Sequence, residues 1–137
     1  MPTFTMSAHS PAPVEEVWKL LHDPRRFPEW WEGIETVRNL PAAQSGGDEV
    51  IDYTLWLEGY PDYPMDQQLR TGPGVVTVSC LVSDLHYTWR LAEGPLAAGT
   101  DINVVVEVPD REVHRLEMQR DVMSRSLEHL ALLAAVG

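Results

Sequence analysis

Two arginines stand where a guanidinium could meet a ligand rather than bulk water. Arg120 falls on the apolar stripe of a long terminal helix, between Val113 and Leu127, where leucine would be expected. Turned inward, its planar fork could pair with a carboxylate or an enolate. Such a charge needs a partner, because an unpaired buried ion costs several kcal/mol. In the competing reading its stem snorkels to the rim, or its head pairs with an acidic strand residue. Arg70 ends a short strand beside a turn, a common setting for surface arginines, and could steady an enol oxygen. Tyr53 or Tyr87 could relay protons beside it. Together with Trp30, Trp31 and Trp89 these tyrosines supply large rigid apolar surfaces. At least half of the five rings are expected to be plain core, and the others to form the mouth of a pocket. Leu55, Val104, Leu116 and Met123, on inward positions of strands and helix, complete the expected lining.

Other chemistries find little support. His9, His22, His86, His114 and His129 show no metal-ligand spacing. No Gly-x-Ser-x-Gly elbow is present, and Gly72-Pro73-Gly74 reads as a turn rather than a dinucleotide fingerprint. Cys80, in an apolar strand pattern, is expected to be inert. No cofactor is expected. The formal charge of −11 opposes binding to nucleic acid or to anionic membrane surfaces. A single cysteine rules out an internal disulfide and fits a reducing compartment. With no visible signal peptide and no apolar run long enough for a membrane span, the expectation is a cytoplasmic protein. Its 137 residues suffice for one domain with a proper core.

The elements that must position these side chains follow from periodicity. Thr3 to His9 alternates as a strand, and Ser10-Pro11-Ala12-Pro13 breaks it. Val14, Val17, Trp18 and Leu21 make a helical stripe over Val14 to His22, with Glu15 and Glu16 at its positive end. Asp23 caps a second start with Pro24 in first position, and a short helix carries Phe27, Trp30 and Trp31. Strands are then expected over Ile34 to Leu40, Glu49 to Glu58, Asp66 to Thr71, Val75 to Val82, Leu85 to Leu91 and Asp101 to Val108. Turns at Pro41 to Gly47, Gly59 to Pro64, Gly72 to Gly74, Ser83-Asp84 and Glu93 to Gly99 separate them. Asp110 to Val136, free of Gly and Pro, reads as one helix. Strands joined at hairpin distance make an antiparallel sheet, with one face under the helices and the other wet, an α+β domain.

Val14 to Leu21, Asp23-Pro24 and Phe27-Pro28-Glu29-Trp30-Trp31 resemble the opening of the START-like (SRPBCC) superfamily, in its polyketide cyclase/dehydrase branch. Gly99-Thr100 leading into an alternating strand, followed by the long helix, is similar to the same superfamily. The resemblance spans residues 1–137. It implies a helix-grip fold: a curved seven-stranded antiparallel sheet around the C-terminal helix, two short helices after the first strand, and a cavity between sheet and helix. By position in the strand order, Arg70 resembles the arginine that positions the polyketide in aromatase/cyclase members, and Tyr87 and Trp89 resemble wall aromatics. Ser79 or Cys80 stands where a second basic residue would fall, and Asp66 and Gln68 stand where aromatics precede the arginine.

The expected function is binding of a small hydrophobic or amphipathic ligand, lipid-like or polyketide-like, by a monomer or homodimer. One alternative is a polyketide cyclase or dehydratase with Arg70 and Tyr53 as catalytic residues. A second is an interaction domain whose cavity has collapsed.

Overall fold

The computed structural model describes residues 2–39, 50–81, 84–93 and 99–136. Seven strands form one antiparallel sheet: β1 (Thr3–Ser10), β2 (Ile34–Asn39), β3 (Val50–Leu57), β4 (Met65–Gly72), β5 (Val75–Cys80), β6 (His86–Glu93) and β7 (Thr100–Glu107). Their order is β1-β7-β6-β5-β4-β3-β2, so β1 and β2 are the edges and the first strand lies beside the last. The turns expected at Pro41 to Gly47 and across Glu93 to Gly99 lie largely outside the described residues, as does Ser83.

Between β1 and β2 the chain crosses the sheet through α1 (Val14–Leu21), a 3-10 turn at Pro24–Arg26, and α2 (Phe27–Trp30). Asp23 caps that turn by accepting from the Arg25 backbone N–H at 3.1 Å, with Pro24 in first position where no N–H is needed. Trp30 Nε1 donates to the Leu20 carbonyl at 3.0 Å and ties α2 under α1. The terminal segment differs from the expected single helix. Asp110–Arg115 is wound as a 3-10 turn, and α3 runs over Leu116–Val136. Pro109 heads the segment without a side-chain cap, and tight winding is common at helix starts.

The strand parities hold. Ile102, Val104, Val106 and Val108 are fully buried, with Tyr87 and Trp89 buried beside them, while His86, Thr88 and Arg90 alternate outward. The inner face of the sheet packs against α3 through Met123, Leu127, Leu130 and Ala134. Two buried serines pin the helix. Ser10 Oγ donates to the Ala131 carbonyl at 2.7 Å, and Ser126 Oγ accepts from the Glu32 N–H at 2.9 Å. Replacing Ser126 with alanine would strand a partly buried N–H, so a loss of about 1–2 kcal/mol in denaturant unfolding is expected.

Candidate functional site

Six aromatic rings occupy the middle of the space between sheet and helices. Trp31 is their hub: its ring centroid lies 5.0 Å from Phe27, 5.4 Å from Trp30, 4.9 Å from Tyr87 and 5.5 Å from Trp89. Phe27 in turn meets Tyr53 edge-on at 5.9 Å. What the cluster leaves open is a cavity of about 220 Å³ toward the β2–β4 side and the start of α3.

The sheet supplies the floor of this cavity with Leu55, Leu57, Met65, Gln67, Cys80 and Tyr87, joined by Leu85 just before β6. Met118, Gln119 and Val122 of α3 form the roof, and Arg115 stands just ahead of them. Trp31 to Ile34 makes one corner, where Gly33 takes φ +92° to turn α2 into β2. That backbone conformation suits glycine because no Cβ collides with the carbonyl. Glu32, Glu58 and the exposed Tyr60 and Met118 form the rim.

Two tyrosine–glutamine pairs set the polarity inside. Tyr53 Oη donates to Gln67 Oε1 at 2.7 Å, and Tyr87 Oη donates to Gln119 Oε1 at 3.1 Å. Burial is the main cause that pushes both phenols well above their ordinary range; Tyr87 and then Cys80 add to it for Tyr53, and Cys80 adds to it for Tyr87. Both are neutral donors at physiological pH. A folded pKa above the unfolded value of about 10 leaves stability intact below that pH. Above it the unfolded chain sheds protons that the folded chain keeps, so stability falls. Two such groups give a slope of about 2.7 kcal/mol per pH unit. An alkaline unfolding transition above pH 10 is therefore expected, with the tyrosinate absorbance of Tyr53 and Tyr87 appearing only as the chain unfolds. Their ionisation in the folded protein would contradict this.

Of the residues expected at the site, Trp31, Leu55 and Tyr87 line the cavity. Trp30, Tyr53, Trp89, Val104 and Met123 are buried behind it in the core, and Leu116 is half-buried against that core. Neither arginine faces the interior. On β4 the inward positions are Gln67 and Leu69, so Arg70, of opposite parity, is exposed on the outer face and donates to Gln68 Oε1 at 3.1 Å. Arg120 is exposed too. Its guanidinium carbon lies 5.5 Å from the Phe4 ring centroid, beside edge strand β1. Replacing Arg120 with leucine is expected to leave ligand binding unchanged and to shift stability by about 1 kcal/mol or less, measurable by calorimetry.

Sequence reasoning does not reach Gln67, Gln119 and Arg115; Cys80, expected to be inert, is buried in the core cluster and also borders the cavity. Gln67 carried a usable signal, a polar residue on the inward parity of β4. Gln119 and Arg115 lie one turn apart along the cavity side of the terminal segment. Among the described residues no cluster of His, Cys, Asp and Glu could hold a metal ion, and no helix is long and apolar enough to cross a membrane.

A helix gripped by a curved antiparallel sheet, with a partly open apolar cavity at one end, defines the START-like class. The chain belongs to the polyketide cyclase/dehydrase and lipid transport family, which it matches over residues 1–135. No curated protein matches it. Among solved structures, CV1439 from Chromobacterium violaceum superposes with a TM-score of 0.71 at 24% identity, over 98% of this chain and 99% of that one. XoxI from Bacillus cereus gives 0.71 at 19% identity, over 97% and 95%. The di-domain ARO/CYC StfQ of the steffimycin biosynthetic pathway gives 0.74 at 13% identity, over 96% of this chain and 45% of that one. At these identities the likeness is one of fold.

Proposed function

We propose that this chain, as a single START-like domain over residues 1–137, binds a small, largely apolar ligand without covalent attachment in the cavity under α3. The carrying observation is a cavity of about 220 Å³ walled by Trp31, Leu55, Leu57 and Val122, with polar groups at a few fixed points. A two-ring ligand would bury roughly the 150–250 Å² of an aromatic side chain. That is about 4–6 kcal/mol at about 25 cal/mol per Å², less the cost of immobilising the ligand. Affinities weaker than nanomolar follow. The buried thiol of Cys80, which forms no disulfide, supports a reducing, cytoplasmic setting, and a cavity lined by one chain serves a monomer or a homodimer alike.

Ring closure or dehydration of a polyketide-like chain is the alternative. It would have to use Tyr87, Gln67, Gln119 and Arg115, since Arg70 is on the other face of the sheet and Tyr53 is held by Gln67 behind the wall. The volume of the cavity weighs against a collapsed groove.

Two-dimensional NMR titration with 2-vinylnaphthalene, an uncharged two-ring probe, tests the binding reading. Saturable shifts centred on Trp31, Leu55, Gln67 and Gln119 are expected. Absence of saturable shifts, or shifts confined to other parts of the molecule, would overturn it.

A further inference from the structure

The cavity wall carries more directional information than its apolar area. A phenol buried in the core must place its hydrogen on an acceptor, and the acceptors here are the side-chain oxygens of Gln67 and Gln119. With one lone pair of that oxygen engaged, each glutamine has more to offer through its NH2, which only donates. Both glutamines line the cavity, one from the sheet and one from the helix. Arg115, at the same wall, also only donates. The inner polar equipment of the site is therefore weighted toward donors, with the Tyr87 oxygen and the Cys80 sulfur beside them.

Charge at the rim narrows the class further. Glu58 borders the opening, Glu32 beside it is ion-paired with Arg125, and Arg115 has Glu112 3.9 Å from its guanidinium. The chain as a whole carries −11. These features oppose a carboxylate or phosphate at the mouth, as does the need to strip its water before entry. Volume sets the remaining limit. About 220 Å³ equals roughly seven waters at about 30 Å³ each, below the 300–1,000 Å³ typical of sites for drug-sized ligands.

We infer that the cavity selects an uncharged, acceptor-bearing, ring-sized ligand, an aromatic ketone, aldehyde or quinone of about two rings, through the amide donors of Gln67 and Gln119. This rests on the binding reading above and names the ligand class of the same site. The tyrosines act here as positioning residues: each fixes its glutamine by the oxygen and leaves the NH2 on offer.

The test compares near-isosteric probes by NMR or fluorescence titration of the intact chain. 2-Acetylnaphthalene carries a carbonyl oxygen where 2-isopropenylnaphthalene, the matched vinyl compound, carries a methylene, and 2-naphthoate carries a charge. In the wild type the ketone is expected to bind about tenfold more tightly than the vinyl compound, and more tightly than the carboxylate. In Gln119→Met or Gln67→Met the ketone-to-vinyl ratio should fall severalfold while vinyl binding persists. Equal wild-type affinities for ketone and vinyl compound would overturn the inference and leave the binding reading standing. Tighter binding of the carboxylate would overturn the uncharged class. An unchanged ratio in both variants would overturn the assignment to the glutamines. Failure of all three probes would instead remove the binding reading itself. The wild-type comparison needs no substitution, so it decides even if the variants fail to fold.

Discussion

Replacing Gly99 with alanine is expected to lower stability by about 3 kcal/mol or more, a fall in melting temperature of about 10 °C. Gly99 has φ +82°, and a Cβ there would lie 2.2 Å from the Ser10 carbonyl oxygen, 2.9 Å from His9 Nε2 and 3.0 Å from Pro11 Cα. The carbonyl is backbone and cannot swing aside. Relief would require β1 to move away from the start of β7. That motion would break the paired contacts of the corner, where Ser10 Oγ bonds the Ala131 carbonyl and Thr100 Oγ1 donates to the Ala12 carbonyl at 2.8 Å. Gly59 provides the control. It has φ +83°, and a Cβ there would meet nothing within 4 Å, so its replacement by alanine carries only the conformational cost of about 1 kcal/mol. Thermal unfolding followed by circular dichroism separates the two. Equal losses at both positions would mean that the corner is not tight.

The second large effect is expected at Trp31. Truncation to alanine should cost about 3–5 kcal/mol, the usual range for a buried tryptophan. Unlike Trp30, Trp31 lines the cavity, so the volume it vacates joins the open space instead of forming a sealed void. The two alanine variants should therefore lose similar stability and differ in binding. Trp31→Ala is expected to admit a three-ring probe such as 2-vinylanthracene that the wild type and Trp30→Ala refuse. Saturating ligand should also return part of the lost stability, since binding to the native state alone stabilises it. A size limit unchanged by Trp31→Ala would show that this ring does not bound the site.

Much of this architecture is legible in the sequence because it rests on periods of two and of three to four. The strict alternation of Ile102, Val104, Val106 and Val108 identifies both a strand and its inward side, and Asp23-Pro24 marks a helix-like start through its cap. The arginines show where such reasoning stops. Arg120 lies on the average apolar stripe of its helix, but a helix crossing a twisted sheet does not bury the same side throughout. Near its start the buried side is Gln119, Met123 and Ser126; near its end it is Leu130, Ala131 and Ala134. The six residues of 3-10 winding before α3 also break the phase that links Val113 to the stripe, and Val113 is exposed. Strand order alone points to Arg70, whereas the facing of its side chain depends on parity, and Leu69 holds the inward position. The cavity itself is space that side chains leave unfilled, and it depends on how six rings settle against one another.

The strand order has a consequence for how the molecule assembles. Thr3 faces Glu107 and Ser10 faces Thr100 across the β1–β7 ladder, so an edge of the sheet is completed only by joining stretches about a hundred positions apart. The hairpins from β2 to β7 can zip up locally, while the opening strand must wait for its neighbour. Closing so wide a loop places the protein among slow folders, with relaxation in milliseconds to seconds rather than microseconds.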